Sequence, residues 1–547
     1  MRTVFETQFP HFRLDSNAPL LVVVPRDRII TEGLDINERV AGIYLHGWER
    51  QYALVRLDAL NTDVYHPDVY APVYHEYIHS LLHVSFDRIP RWLDEGLAEF
   101  FAYTRFEGDR MYIGAPPKDT HYTEILDRRV NMPLAEFVMK RSAFARDEDD
   151  THLFYAQSWA LTHFLTFGPG MEGGARLNAF MTQLQTGVDQ KKAFETVFGP
   201  FEQVQKDYEM YLRKFTFTSG ILPAPAGLKE RDFVARQLSI GEADAILAGV
   251  AIRFYRWPVV KALSERAQAA DPNLALAHED LGFWYFNEGR DEEALKEFSL
   301  AVDQDSTDYL ARYAKTMISV SHQKLDSDAE EKALLNVLDE HPTFAAAFVE
   351  LAKIYAARGE LLHALGVARR AEQLEPSRSG YRLLTGEILL RMGRAADAAA
   401  VAVYVATRWH GPDHEEAFDL FSRVPASERK NMTFPPGDDV NNLPTKASTK
   451  THGVVKSVTC RDKSMTLTLD RDGELLTFRG EHFPIGFSDT LWMGADHFTP
   501  CFHTIGLRAV VQYKPTSDKS LTGTLVYAGL RDTLPDPPKP ITAQEAK

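Results

Sequence analysis

The sequence predicts a multidomain, mainly α chain: an α+β domain first, an α-solenoid of helix pairs next, and a small C-terminal β-barrel or sandwich last. Three observations predict it. Residues Val73–Phe101 hold histidines and glutamates at helical spacing. Between 241 and 412, small and large apolar residues return with a period of about 34. From Gly453 onward, short stretches alternate apolar and polar residues between turns.

Composition bounds the rest. At 547 residues, a prior of ~150 per domain gives three or four domains. Hydrophobic residues make up 44% and charged residues 25%, so a sizeable core is available. The net charge of −16 and the lack of a basic cluster interleaved with aromatics argue against nucleic-acid binding. No apolar run approaches the ~18 residues of a membrane span. The first residues, MRTVFETQFPHFRLDSNAP, are polar and interrupted by Pro10, so no signal peptide is expected. The expectation is a cytoplasmic protein by default, or an exported one if a segment precedes residue 1. The two cysteines, Cys460 and Cys501, exclude a disulfide scaffold and a Cys-type zinc site, and either a single bridge or two core thiols remains open.

Leu20–Val24 is a short β-branched run that reads as a strand. Val40–His46 and Tyr52–Asp58 flank a Gly47–Arg50 turn and read as a hairpin. Then comes His75-Glu76-Tyr77-Ile78-His79. On a helix both imidazoles face one way and can reach a single metal ion, with zinc the expected one. Glu76 lies beside the open coordination position, placed to take a proton from metal-activated water and pass it on. His83 continues the stripe but lies ~12 Å along the helix from His75, too far to share its ion, and reads as packing or support. After Pro90 a second helix is expected, in which Glu95 and Glu99 share a face and either carboxylate could complete the site.

Trp92, Leu93, Glu95 and Gly96 match the Trp-Leu-x-Glu-Gly of gluzincin zinc peptidases, which the HExxH stretch also resembles. The resemblance implies a zincin-like domain with His75, His79 and Glu95 as ligands of one Zn²⁺, and Glu99 holding a ligand histidine. In such enzymes a strand before the first helix offers its edge to substrate, and Tyr52–Asp58 stands in that place. Tyr155, opening the run Phe154–Leu165, matches the tyrosine that steadies the oxyanion in aminopeptidase-like members, with a core aromatic pair (Tyr155, Trp159) as the structural alternative. No Gly-x-Met-Glu-Asn-type stretch is present, which tilts the reading toward an endopeptidase. His152 and His163 have no partner pattern and read as surface or packing residues.

The α+β domain is expected to fill 1–220, with a Pro/Gly-rich linker over 221–240. Within 241–423 the clearest repeat is Ala275–Thr307, with Leu281, Gly282, Tyr285, Ala294, Phe298 and Ala301. These positions resemble a tetratricopeptide (TPR) repeat. About five units follow one another, enough to stack a continuous core, and TPR grooves usually bind peptide or protein partners. A polar linker is expected over 424–450, the β-domain (OB-like or a sandwich) over 451–534, and a disordered tail over 535–547. The whole arrangement resembles little-characterised bacterial proteins. It predicts a zinc peptidase whose repeats recruit protein, and alternatively a TPR interaction scaffold with an inactive or structural zinc-binding domain.

Overall fold

The computed structural model describes residues 1–25, 33–34, 42–47, 50–56, 70–86, 89–116, 131–139, 148–213, 217–224, 236–409, 412–429, 432–435, 449–461, 464–471, 473–480, 501–531 and 534. They form two compact units, Met1–Arg236 and Gln237–Lys547.

The first unit begins with helix α1 (Arg2–Gln8), strands β1 (Leu20–Val23), β2 (Gly42–Leu45) and β3 (Gln51–Val55), and helices α2 (Ala71–Ser85) and α3 (Arg91–Ala102). It continues with β4 (Arg105–Glu107), β5 (Arg110–Ile113), helices α4 (Glu148–Phe167), α5 (Ala175–Gln185), α6 (Gln190–Phe198) and α7 (Phe201–Leu212), and β6 (Gly220–Pro223). Pro72 opens α2, where its missing N–H costs nothing. Pro90 caps α3 with an extended backbone (ψ 134°), which separates the two helices. From Trp92 to Ala102 every α3 residue is buried, with α2 and α4 packed on it. The crossing with α4 is tight at Gly96, where a Cβ would stand 2.6 Å from the Ser158 carbonyl oxygen; a larger residue would push the helices apart.

Two local expectations are corrected. The hairpin forms, pairing β2 with β3, but β3 also pairs in parallel with β1 along Leu20–Val23. Both edges of Tyr52–Leu54 are therefore hydrogen-bonded, and that stretch cannot offer one to a peptide. Among the described residues β2 is the edge strand on this side; Leu57 and Asp58 lie outside them. Residues 221–223, expected to begin the linker, form with Gly220 the strand β6, antiparallel to β5 in the β4–β5–β6 sheet. Its glycine has a packing role, since a Cβ at Gly220 would meet the Phe167 ring at 2.7 Å. The N-terminal segment also belongs to the core: Phe5 is fully buried with its ring centroid 5.8 Å from that of Phe101.

In the second unit the helices come as consecutive antiparallel pairs: α8 (Ile240–Arg253) with α9 (Trp257–Ala270), α10 (Ala275–Asn287) with α11 (Asp291–Gln304), and α12 (Tyr309–Ser321) with α13 (Ser327–Glu340). Then come α14 (Ala345–Ala357) with α15 (Leu361–Leu374), α16 (Ser379–Arg391) with α17 (Ala395–Arg408), and a last helix α18 (Pro412–Arg423). Size complementarity sets the pairing. A Cβ on Gly282 would stand 2.6 Å from the Phe298 ring, so helix and ring approach as closely as glycine allows.

The same unit holds β7 (Thr449–Arg461), β8 (Ser464–Arg471), β9 (Glu474–Gly480), β10 (Arg508–Lys514) and β11 (Gly523–Arg531), closed into a barrel in the order β10-β11-β9-β8-β7. The barrel of the expected pair is therefore the one that forms. The β9–β11 pair is parallel and the others antiparallel, the connectivity of an OB-fold. Alternate residues Met465, Leu467 and Leu469 point inward. Cys460 and Cys501 form a disulfide. The tail 535–547 and most of the 424–450 linker lie outside the described residues.

Candidate metal centre

Helices α2 and α3 bring the expected residues together. Spacing puts His75 and His79 one turn apart on α2, and their Nε2 atoms lie 3.1 Å from each other. Glu95 reaches across from α3, its Oε2 3.4 Å from each Nε2. A tetrahedral ion with bonds of ~2.0–2.1 Å needs ligand atoms about 3.3 Å apart, which these separations match. Glu95 Oε2 is buried and makes no well-aligned hydrogen bond among the described residues, with the two Nε2 atoms standing off at 3.4 Å. A buried carboxylate oxygen left without a donor costs stability unless a cation meets it, so the three atoms fit a metal.

Each histidine is oriented by a second carboxylate. His75 Nδ1 lies 3.3 Å from Glu99 Oε1, so the oxygen that stands against both Nε2 atoms belongs to Glu95 and not to Glu99. His79 Nδ1 lies 2.7 Å from Asp94 Oδ1, and the other oxygen of Asp94 is 3.2 Å from His83 Nε2. These partners leave both Nε2 atoms facing one point. Arg91 donates to Glu95 Oε1 at 2.6 Å. The Tyr155 hydroxyl lies 3.5 Å from the same oxygen, brought there by the α3–α4 crossing at Gly96.

Glu76 is buried between α2 and β2. A Cβ on Gly42 would come 2.8 Å from Glu76 Oε1, and the backbone of Tyr44 hydrogen-bonds its carboxylate. The Tyr44 ring packs on His79 and His83, with centroids 6.4 and 5.6 Å away.

The electrostatics follow from this crowd of acids. Burial opposes charge on His75, but Glu95 and Glu99 raise its pKa well above the usual value. Burial likewise opposes charge on His79, and Asp94 and Glu95 raise it to about 10. Burial pushes Glu95 up, but His79 and His75 hold it well below the carboxylate range; His79 and His83 do the same for Asp94. Burial raises Glu76, with the two histidines pulling the other way. The potential that holds protons on both rings would also hold a dication, which competes with those protons for the two Nε2 atoms.

Sequence reasoning missed Asp94, Arg91 and Tyr44. The first two had a signal, since Arg91 stands three residues before Asp94 and four before Glu95. Tyr44 had none, because its place depends on the sheet. His163 is fully buried, its Nδ1 2.7 Å from the Tyr211 hydroxyl, in keeping with packing. The His152 side chain lies outside what is described.

A family described as a protein of unknown function (DUF1570) matches residues 69–172, the stretch that carries α2, α3 and α4. Among solved structures, PilF of Pseudomonas aeruginosa is 14% identical, with 35% of this chain and 91% of that one covered at a TM-score of 0.29. TTC0263, a thermophilic TPR protein of Thermus thermophilus, is 19% identical, with 34% and 98% covered at 0.27. YrrB, a TPR protein with an unusual peptide-binding site, is 15% identical, with 33% and 91% covered at 0.27. No curated protein matches.

Proposed function

We propose that the first unit is a zinc-dependent peptidase of gluzincin type, and that the solenoid recruits the protein on which it acts. The observation that carries the reading is the Nε2–Nε2–Oε2 triangle of His75, His79 and Glu95, with a buried glutamate beside it. These three residues would hold the ion, which when bound supplies Lewis acidity, polarising a peptide carbonyl and acidifying water. Glu76 moves the proton, taking it from the attacking water and giving it to the leaving amine. Its raised pKa suits a group that must both accept and release one, and the Tyr44 backbone fixes its orientation. Asp94 and Glu99 hold the two imidazoles in the ligating tautomer. Tyr155 is the hydroxyl donor for the developing oxyanion, kept protonated by burial and by Glu95. The edge of β2 is the place for an extended substrate backbone.

Metal analysis and hydrolysis of labelled casein test the reading on wild type, Glu76→Gln and Glu95→Ala. The expected result is near-stoichiometric zinc in wild type and Glu76→Gln, zinc lost in Glu95→Ala, and cleavage by wild type alone. A wild type that takes up no zinc after reconstitution sinks it. The second reading is a TPR scaffold whose zinc site is structural, and the solenoid of helix pairs favours it. Zinc bound by wild type and Glu76→Gln with no cleavage of any peptide library by either would select that reading.

A further inference from the structure

First helices of successive pairs pack on one another (α8 with α10, α10 with α12, α16 with α18), more so than second helices do. In a stacked solenoid the closer side is the inside of the curve, so the first helices line the inner face. At the turn between α10 and α11, on the loop edge of the solenoid, the chain's own segment Cys501–Gly506 packs through Phe502 and His503. The His503 ring stacks on Phe286, the planes 10° apart and the centroids 3.7 Å apart. His503 Nε2 lies 3.1 Å from Asp291 Oδ1, and the other Asp291 oxygen is 2.7 Å from His322 Nε2. The neighbouring Phe502 ring covers Gly289, where a Cβ would meet it at 2.5 Å and where φ of +69° already calls for glycine. An aromatic floor, an acceptor and a bare glycine together make a three-point seat for an aromatic–histidine pair.

The segment is held ready for that seat. Cys501, immediately before Phe502, is bonded to Cys460 of β7. At the other end the Gly506 N–H donates to the Val455 carbonyl at 2.9 Å, and the Val455 N–H to the Leu507 carbonyl at 2.8 Å. Farther along the solenoid Arg508 pairs with Asp419 and Lys450 with Glu415, both on α18, so the barrel rests on the helices at two places.

We infer that the patch formed by Phe286, Gly289, Asp291 and His322 is a peptide-binding niche selective for an aromatic residue followed by histidine, occupied in cis by Phe502–His503. A partner bearing such a pair binds only by displacing the built-in one. A ligand tethered this way acts at an effective concentration on the order of millimolar, which keeps out a micromolar competitor. The niche is independent of what the first unit catalyses.

The test uses the full chain and a fluorescent peptide of residues 501–507 carrying Cys501→Ser. Phe502→Ala/His503→Ala empties the niche, and because Phe502 is half-exposed the change leaves the helical core intact, which far-ultraviolet circular dichroism checks. The peptide is expected to bind the double variant at least about tenfold more tightly than wild type, and to lose that gain when Asp291→Asn is added. Its binding should slow hydrogen exchange at the α10–α11 turn. Equal binding to wild type and double variant, no binding to either, or binding indifferent to Asp291→Asn overturns the proposal. If the double variant unfolds, His503→Ala alone is judged by the same three outcomes.

Discussion

Helix α3 and the facing sides of the solenoid's paired helices are both buried, but they use their side chains for different ends. In α3, Asp94, Glu95 and Glu99 are buried acids, and each meets a named nitrogen on α2. At the recurring solenoid positions Gly282, Ala294, Phe298 and Ala301, nothing polar is exchanged and volume alone is matched. The proposed metal centre should therefore be sensitive to chemistry at constant size, and the solenoid to size at constant chemistry. Substitutions of each kind can break or sharpen that contrast.

The largest effect is expected from a change that leaves shape untouched. Glu76→Gln is isosteric, and on the proposed mechanism it removes the proton carrier, lowering peptide hydrolysis by roughly 10²–10⁴-fold. The melting temperature of the first unit should stay within a degree or two of wild type. Parallel assays and melts would show it; a variant that keeps its rate would take Glu76 out of the chemistry. The counterpart in the solenoid is Phe298→Ala. It deletes a fully buried ring that fills the space over Gly282, and should cost about 3–5 kcal/mol in urea unfolding of the second unit. Zinc content should not change. Loss of zinc in that variant would mean the contrast is false.

The same contrast explains what could be read in advance. His75 with His79, and Glu95 with Glu99, were legible because a helix repeats its face every three to four residues, so spacing puts each pair on one face; that the two faces meet, with Glu95 toward the histidines, was implied only by the resemblance. The repeats were legible for a related reason, since a recurrent size pattern survives without chemistry. Asp94 was hidden because it lies on the helix edge beside Glu95, and only the approach of α2 turns it toward His79. The choice of β2 over β3 as edge was hidden too, because the pairing of β3 with β1 brings together residues some thirty positions apart. Composition misled at Gly220–Pro223, where glycine and proline that read as a linker serve a strand against Phe167.

A third prediction probes a buried group of the first unit that has no part in the metal centre. Burial holds His163 down to about 4, against weaker backbone hydrogen bonds that favour its charge. The unfolded chain therefore binds a proton between about pH 6.5 and 4 that the folded unit refuses, and stability falls as pH falls through that window. The loss amounts to about 3 kcal/mol once both values are passed. Denaturant curves at pH 7 and 4.5 should show it in wild type and show less of it in His163→Gln. An equal slope in both would mean the ring is not desolvated as placed.

The smallest effect separates the two carboxylates that steady the imidazoles. Asp94 lies 2.7 Å from His79 Nδ1 and also receives His83, whereas Glu99 lies 3.3 Å from His75 Nδ1. Removing charge from such a partner typically weakens metal binding by roughly 10–100-fold. The shorter, doubly used contact places Asp94→Asn toward the upper end and Glu99→Gln toward the lower. Competition against a zinc chelator measures both, without any need for turnover. If Glu99→Gln proves the more damaging, Glu99 is the oxygen that faces the ion and Glu95 the one that supports. The arrangement on α3 would then be rotated by one turn, and the chemistry assigned to the site would stand with its two acids exchanged.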